Sequence, residues 1–164
     1  MTKTDELLRR AEAHAETFDG SRLPARPAKQ IAVRTCMDGR VNPNRLLGLA
    51  DGDAHVIRHA GGVVTDDAIR SLAISQRVLG TSEIVVIHHT GCGMLAVTDD
   101  EFGSAARGGH RRQAAVGGRA FADLEGNVRD SDARLKASPS IQHEDAVRGF
   151  VYGVETGRLA EIPL

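Results

Sequence analysis

The chain has 164 residues, the length of one ordinary domain, with apolar side chains enough for a single core and too few for two. Its 21 Lys and Arg against 22 Asp and Glu leave a formal net charge of -1, so no overall field draws it to nucleic acid or to an anionic membrane. No apolar run approaches the roughly 20 residues of a membrane span, the N-terminus MTKTDELLRR is charged rather than a leader, and two cysteines are too few for a disulfide scaffold. These features predict a cytoplasmic protein with no membrane or nucleic-acid partner, made of an N-terminal helical arm and linker (1–29) and one α/β domain (30–164).

Residues 2–18 predict an amphipathic, peripheral helix with Leu7, Leu8, Ala11, Ala15 and Phe18 along one stripe. DGSRLPARPAK (19–29), with Gly and Pro and no periodicity, reads as a linker. QIAVRTC (30–36) is a strand, followed by a helix with Asn42 as N-cap and Pro43 at its first position. AHVIRHAGG (54–62) is a second strand running into a Gly-Gly turn. TDDAIRSLAISQRVLG (65–80) is a helix capped by Thr65 and ended by Gly80, burying Ile69, Leu72, Ala73 and Leu79. SEIVVIHHTGCG (82–93) carries a third strand, apolar on both faces through Ile84 to Ile87, as inside a parallel sheet. Residues 103–120, rich in Gly, Ala and Arg, read as a long surface loop whose basic cluster around His110 lacks the aromatics a nucleic-acid site would use. ADLEGNVRDSDARLKASPS reads as partly helical, and VRGFVYGVETGRLAEI as a β-hairpin turning at Glu155 to Gly157. Strands alternating with helices make this an α/β, mostly parallel doubly wound sheet with flanking helices, an N-terminal helical arm and a C-terminal hairpin.

Two clusters leave the carboxyl ends of parallel strands: Cys36, Asp38 and Arg40 (C-x-D-x-R) after the first, and His89 and Cys92 (H-x-x-C) after the third. With strand order 2-1-3 the chain reverses direction across the sheet between strands one and three, and ligands bind in the crevice at that point. Two thiolates and one imidazole suit zinc, and three protein ligands leave a fourth position for water or substrate. Strand alternation sends His88 to the opposite face, which favours His89 as the ligand. A disulfide, or two inert buried thiols, are the alternatives, but neither accounts for the Asp, Arg and His at the same strand ends.

With CMDGR (36–40), RHAGG (58–62), the following VVTDDAIRSLAISQRVLGT and HHTGCGM (88–94), the chain resembles the β-class carbonic anhydrases, nearest a short bacterial branch. The resemblance is strong over about residues 30–102. It implies a zinc-dependent lyase, a carbonate dehydratase interconverting CO2 and bicarbonate through attack by a zinc-activated hydroxide. One Zn2+ per subunit would be held by Cys36, His89 and Cys92, with Asp38 either paired to Arg40 or itself in the fourth zinc position. Asp38 and Arg40 would then be catalytic, with an equilibrium between open and closed sites that depends on pH. Gly61, Gly62 and Val63 would border the substrate. His59 stands where the family usually has Asn, and it is not counted as catalytic. The family also implies a homodimer or dimer of dimers, the N-terminal helix reaching over the partner. Hydrolysis of carbonyl sulfide or carbon disulfide at the same site is the nearest alternative. A non-catalytic zinc or thiol redox regulator is the alternative from another class.

Overall fold

A computed structural model describes residues 2–107 and 118–164. Helix α1 (Lys3–Ala15) opens with a capping box, Thr2 Oγ1 accepting from Asp5 N while the Asp5 carboxylate accepts from Thr2 N. It buries no residue, and Leu7 and Leu8 remain 62% and 58% exposed. Among the described residues nothing covers the stripe along this helix. The linker is pinned onto the domain just before Gln30, where Ala28 N and Lys29 N donate to the Gly52 and Asp53 carbonyls.

Strand β1 (Ile31–Cys36) leads through a loop to α2 (Pro43–Leu47), which is capped by the Asn42 side chain and stopped at Gly48 in a left-handed turn. Strand β2 (Ala54–His59) runs through a single 3-10 turn into α3 (Asp66–Arg77), with Thr65 as its N-cap. Then follow β3 (Glu83–His89), α4 (Asp99–Arg107), α5 (Leu124–Lys136) and the hairpin β4 (Val147–Tyr152) and β5 (Leu159–Ile162). The sheet order is β2-β1-β3-β4-β5, parallel except for the antiparallel β5. The chain steps from β1 to β2 on one side, and α3 then carries it back past β1 to β3. The carboxyl ends of β1 and β3 are thereby brought side by side at the point of reversal.

One face of the sheet packs under α3 and α5 in a core of Ala32, Val64, Leu72, Ile84, Val86, Leu135, Ile141 and Val147. Helix α5 approaches β4 so closely that a Cβ on Gly149 would fall 2.4 Å from Val128 Cγ1. The buried stripe of α3 is apolar only in its first half. Further along, the buried residues are Ser75, bonded to His55 Nδ1 and Thr81 Oγ1, and Gln76, whose Oε1 accepts from the backbone of Gln142 and His143. The Gln76 bonds anchor the segment between α5 and β4.

The expected loop at 103–120 is corrected in its first part. Residues 103–107 belong to α4, which a capping box between Thr98 and Glu101 starts: Glu101 N donates to Thr98 Oγ1 and Thr98 N to the Glu101 carboxylate. The basic cluster around His110 lies outside the described residues. No helix among the described residues is long and apolar enough to cross a membrane.

Candidate metal centre

Cys36 ends β1, His89 ends β3, and Cys92 follows three residues later, after a turn through Gly91. Their donor atoms all lie within 4.8 Å of one another, and all three residues are buried. The two sulfurs are 4.0 Å apart, each a free thiol. That separation is close to the ~3.8 Å edge of a tetrahedron built on metal–sulfur bonds of about 2.3 Å. His89 Nδ1 lies 2.9 Å from the Thr90 carbonyl, to which it donates, so its Nε2 carries the lone pair. Nε2 is buried without a hydrogen-bond partner among the described residues. A buried imidazole nitrogen with a free lone pair, beside two thiols, fits a thiophilic divalent cation. Burial pushes the Cys92 thiol up, a cost that a bound cation reverses by taking the thiolate.

Thr90 is the joint that steadies this imidazole. Its N–H donates to the Tyr152 carbonyl (2.9 Å) and its hydroxyl accepts from Val154 N (3.1 Å), so the C-terminal hairpin holds the carbonyl that orients His89.

Asp38 and Arg40 form a two-pronged pair, Nε to Oδ1 at 3.0 Å and Nη2 to Oδ2 at 2.7 Å, and Arg40 N also donates to Oδ1 at 2.9 Å. Arg40 Nη2 further donates to the Gly91 carbonyl (2.8 Å), linking the loop that carries Cys36 to the one that carries Cys92. The Arg40 side chain, through these hydrogen bonds, holds the Asp38 carboxyl well below the usual carboxylate range. Asp38 Oδ2 lies 3.9 Å from His89 Nε2, so the carboxylate stands at the edge of the three-donor site while paired to arginine.

The reading of residue types did not single out Arg58. Its Nε donates to the Cys36 carbonyl (3.0 Å), and its Nη2 to those of Asp38 (2.7 Å) and Val41 (2.8 Å), so one guanidinium holds the whole C-x-D-x-R loop in shape. The RHAGG motif was the available signal.

Gly61 and Gly62, at φ +67° and +66°, take the left-handed backbone that glycine tolerates. A Cβ on Gly61 would meet Met94 Cγ at 2.8 Å, and one on Gly62 would lie 3.3 Å from Cys36 N. Both glycines thus let the β2–α3 turn close against the loops bearing the thiols, and Val63 follows, partly buried.

His88 points away from this site, its Nε2 3.4 Å from Ser131 Oγ on α5 and its ring edge-on to Phe121. Burial, then the charge of Arg34, pushes its pKa down to about 3. His59, at the end of β2, is partly buried with Nε2 3.9 Å from Asp67 Oδ2.

The comparisons with known proteins agree with this geometry. The carbonic anhydrase family model matches residues 31–115. The chain is 46% identical over 162 residues to beta-carbonic anhydrase 1 of Mycobacterium tuberculosis, covering 99% of each. It is 35% identical over 157 residues to a carbon disulfide hydrolase of Acidithiobacillus thiooxidans, covering 80% of this chain and 71% of that one. The crystal structure of carbonic anhydrase from Streptococcus mutans superposes with a TM-score of 0.92 at 42% identity, covering 99% of both chains. With a full-length relative, a matching family model and the same fold, the chain belongs to the β-carbonic anhydrase family.

Proposed function

We propose that this protein catalyses the reversible hydration of CO2 to bicarbonate and a proton, using one zinc ion per subunit held by Cys36, His89 and Cys92. The observation that carries the reading is the buried three-donor set with its free imidazole lone pair, placed 3.9 Å from a carboxylate that an arginine holds ionised. A zinc ion there would supply Lewis acidity that makes a water nucleophilic near neutral pH.

The protein's own groups do the rest. Asp38, kept anionic by Arg40, accepts a hydrogen from the attacking water and so directs its lone pair toward the substrate carbon. Arg40 holds Asp38 off the donor set, and Arg58 keeps their loop in register. Gly61, Gly62 and Val63 border the substrate, the two glycines bringing their turn close against the loops that carry the thiols. If the Asp38–Arg40 pair opens, the carboxylate reaches the donor set itself and competes with water. The exposed stripe of α1 supports assembly as a homodimer or dimer of dimers, since Leu7 and Leu8 find no cover among the described residues.

Carbon disulfide hydrolysis is the second reading, favoured by the similarity to a carbon disulfide hydrolase. The test measures CO2 hydration and carbon disulfide consumption side by side on zinc-loaded, reduced protein, with D38A as control. The CO2 reading expects the hydration rate to dominate and to fall in D38A. Turnover of carbon disulfide alone would replace it, and full activity in D38A would remove the role given to Asp38.

A further inference from the structure

Strand β2 closes one end of the sheet, paired to β1 on one side and to no other strand among the described residues. Its beginning is tied to α3 by the hydrogen bond between His55 Nδ1 and Ser75 Oγ, 2.7 Å long. Ser75 Oγ lies in turn 2.8 Å from Thr81 Oγ1, just past the end of α3. Ser75 and Thr81 are sealed in, 2% and 1% exposed. His55 is half-buried and lines a groove of about 410 Å³ between β2 and α3.

The direction of this chain is fixed at its buried end. The Thr81 hydroxyl has no acceptor other than Ser75 Oγ among the described residues. It therefore donates to Ser75, Ser75 donates to His55 Nδ1, and the ring hydrogen of His55 sits on Nε2. Every hydroxyl is then satisfied. A proton on Nδ1 reverses the chain: His55 donates to Ser75, Ser75 to Thr81, and the last hydroxyl hydrogen is left buried without an acceptor.

The new charge finds no counterion either. Ala54, Val56, Ile57, Ile74 and Leu79 make the apolar part of the groove, α3 presents only Ser71 and Ser75 there, and the register partner of His55 on β1 is Ala32. Asp53 is engaged by Lys29 and by the backbone of Ala50, and Arg58 by the C-x-D-x-R loop. Burial accordingly pushes the His55 pKa down. His59, which pairs with Cys36 in the register and stands 3.9 Å from Asp67, lies at the opposite end of β2, so the metal donors do not enter.

We propose that His55, Ser75 and Thr81 form an acid-sensitive latch, which fastens the edge strand β2 to α3 while His55 is neutral and releases it when His55 is protonated. Release opens the sheet at its free edge, along the groove that His55 lines. The latch is worked by a proton and needs neither metal nor turnover, so it stands or falls apart from the reaction assigned above. Because the folded-state pKa of His55 lies below the ordinary value, the open form binds the proton more tightly. The latch is therefore fully fastened above about pH 6.5 and weakens as pH falls below it.

The test is hydrogen exchange of zinc-loaded wild type and H55Q at pH 7.5 and 5.5, each amide corrected for its intrinsic rate. Protection of the amides of β2 and of residues 75–81 is expected to fall about five- to tenfold further in wild type, the linkage due about one pH unit below the ordinary histidine value. The other histidines and any loss of zinc act on both proteins alike, so equal falls overturn the proposal. Nitrogen-15 NMR of the histidine rings needs no variant: at pH 7.5 a His55 ring hydrogen on Nε2 supports the latch, and one on Nδ1 overturns it. S75A separates the chain from burial, because protonation then orphans no further hydroxyl. In S75A the His55 pKa is expected to rise about one pH unit toward its ordinary value, and an unchanged pKa would mean that burial acts alone and would overturn the latch.

Discussion

Gly61→Ala tests whether the turn before α3 is built to close on the loop bearing Cys92. The substitution pays twice. A left-handed conformation in an L-residue costs about 1–2 kcal/mol, and the new methyl, 2.8 Å from Met94 Cγ and 3.2 Å from Met94 Cβ, adds about 1–3 kcal/mol of overpacking. Gly48→Ala separates the two costs, because Gly48 has nearly the same φ, +63°, with nothing within 4 Å of its Cβ position. The expected losses in urea unfolding are therefore about 2–5 kcal/mol for G61A and about 1–2 kcal/mol for G48A. Met94 sits two residues from Cys92, so G61A is also expected to weaken zinc retention against a chelator while G48A does not. Equal losses in the two variants, with equal zinc retention, would refute the close-approach argument.

R40Q should lower kcat/KM for CO2 about 10–100-fold by releasing Asp38, measured by stopped-flow hydration. The folded-state pKa of Asp38 is depressed, so the pair's stabilisation is fully present above the ordinary carboxylate pKa and lost as pH falls through the lower folded value. Any stability gap between wild type and R40Q is therefore expected to stay constant above about pH 5, to shrink once pH falls below about 4, and to close only through the depressed folded value, in urea titrations across pH. C92S should lose zinc stoichiometry by elemental analysis and unfold at lower denaturant, with chelation producing the same shift in wild type and none in the variant. L7D combined with L8D should reduce the mass seen by light scattering, and an unchanged mass would exclude α1 from the interface.

What the sequence made legible and what it hid differ in kind. The ends of β1 and β3 could be read because short β-branched runs are followed at once by Cys, Asp, Arg and His, and the 2-1-3 order then forces those ends together. Thr65, Asn42 and the 155–157 turn announced themselves by residue type. Arg58 did not, because its three acceptors are main-chain carbonyls 17–22 positions away and carry no side-chain pattern. Arg34 is one polar residue in an otherwise apolar strand, and only the packing shows it sealed in. The start of α4 is written in T-D-D-E, a capping-box pattern that the glycine-rich stretch after it hides. His59 stands where the family usually has Asn, and only the strand register shows that it lies on the strand adjoining Arg34.

Thr90 gives the centre an order of assembly. The carbonyl that orients His89 is braced by Tyr152 and Val154, which lie 60 or more residues further along the chain. During synthesis the N-terminal portion emerges first, so both thiols and the imidazole leave the ribosome well before the hairpin that steadies them. Until that hairpin docks, the ring of His89 is free to turn and the three donors are a loose chelate rather than a fixed one. A metal captured early would be exchangeable, and one captured after β4 has paired would be kept: a segment made some 60 residues after the donors is the latch on their geometry.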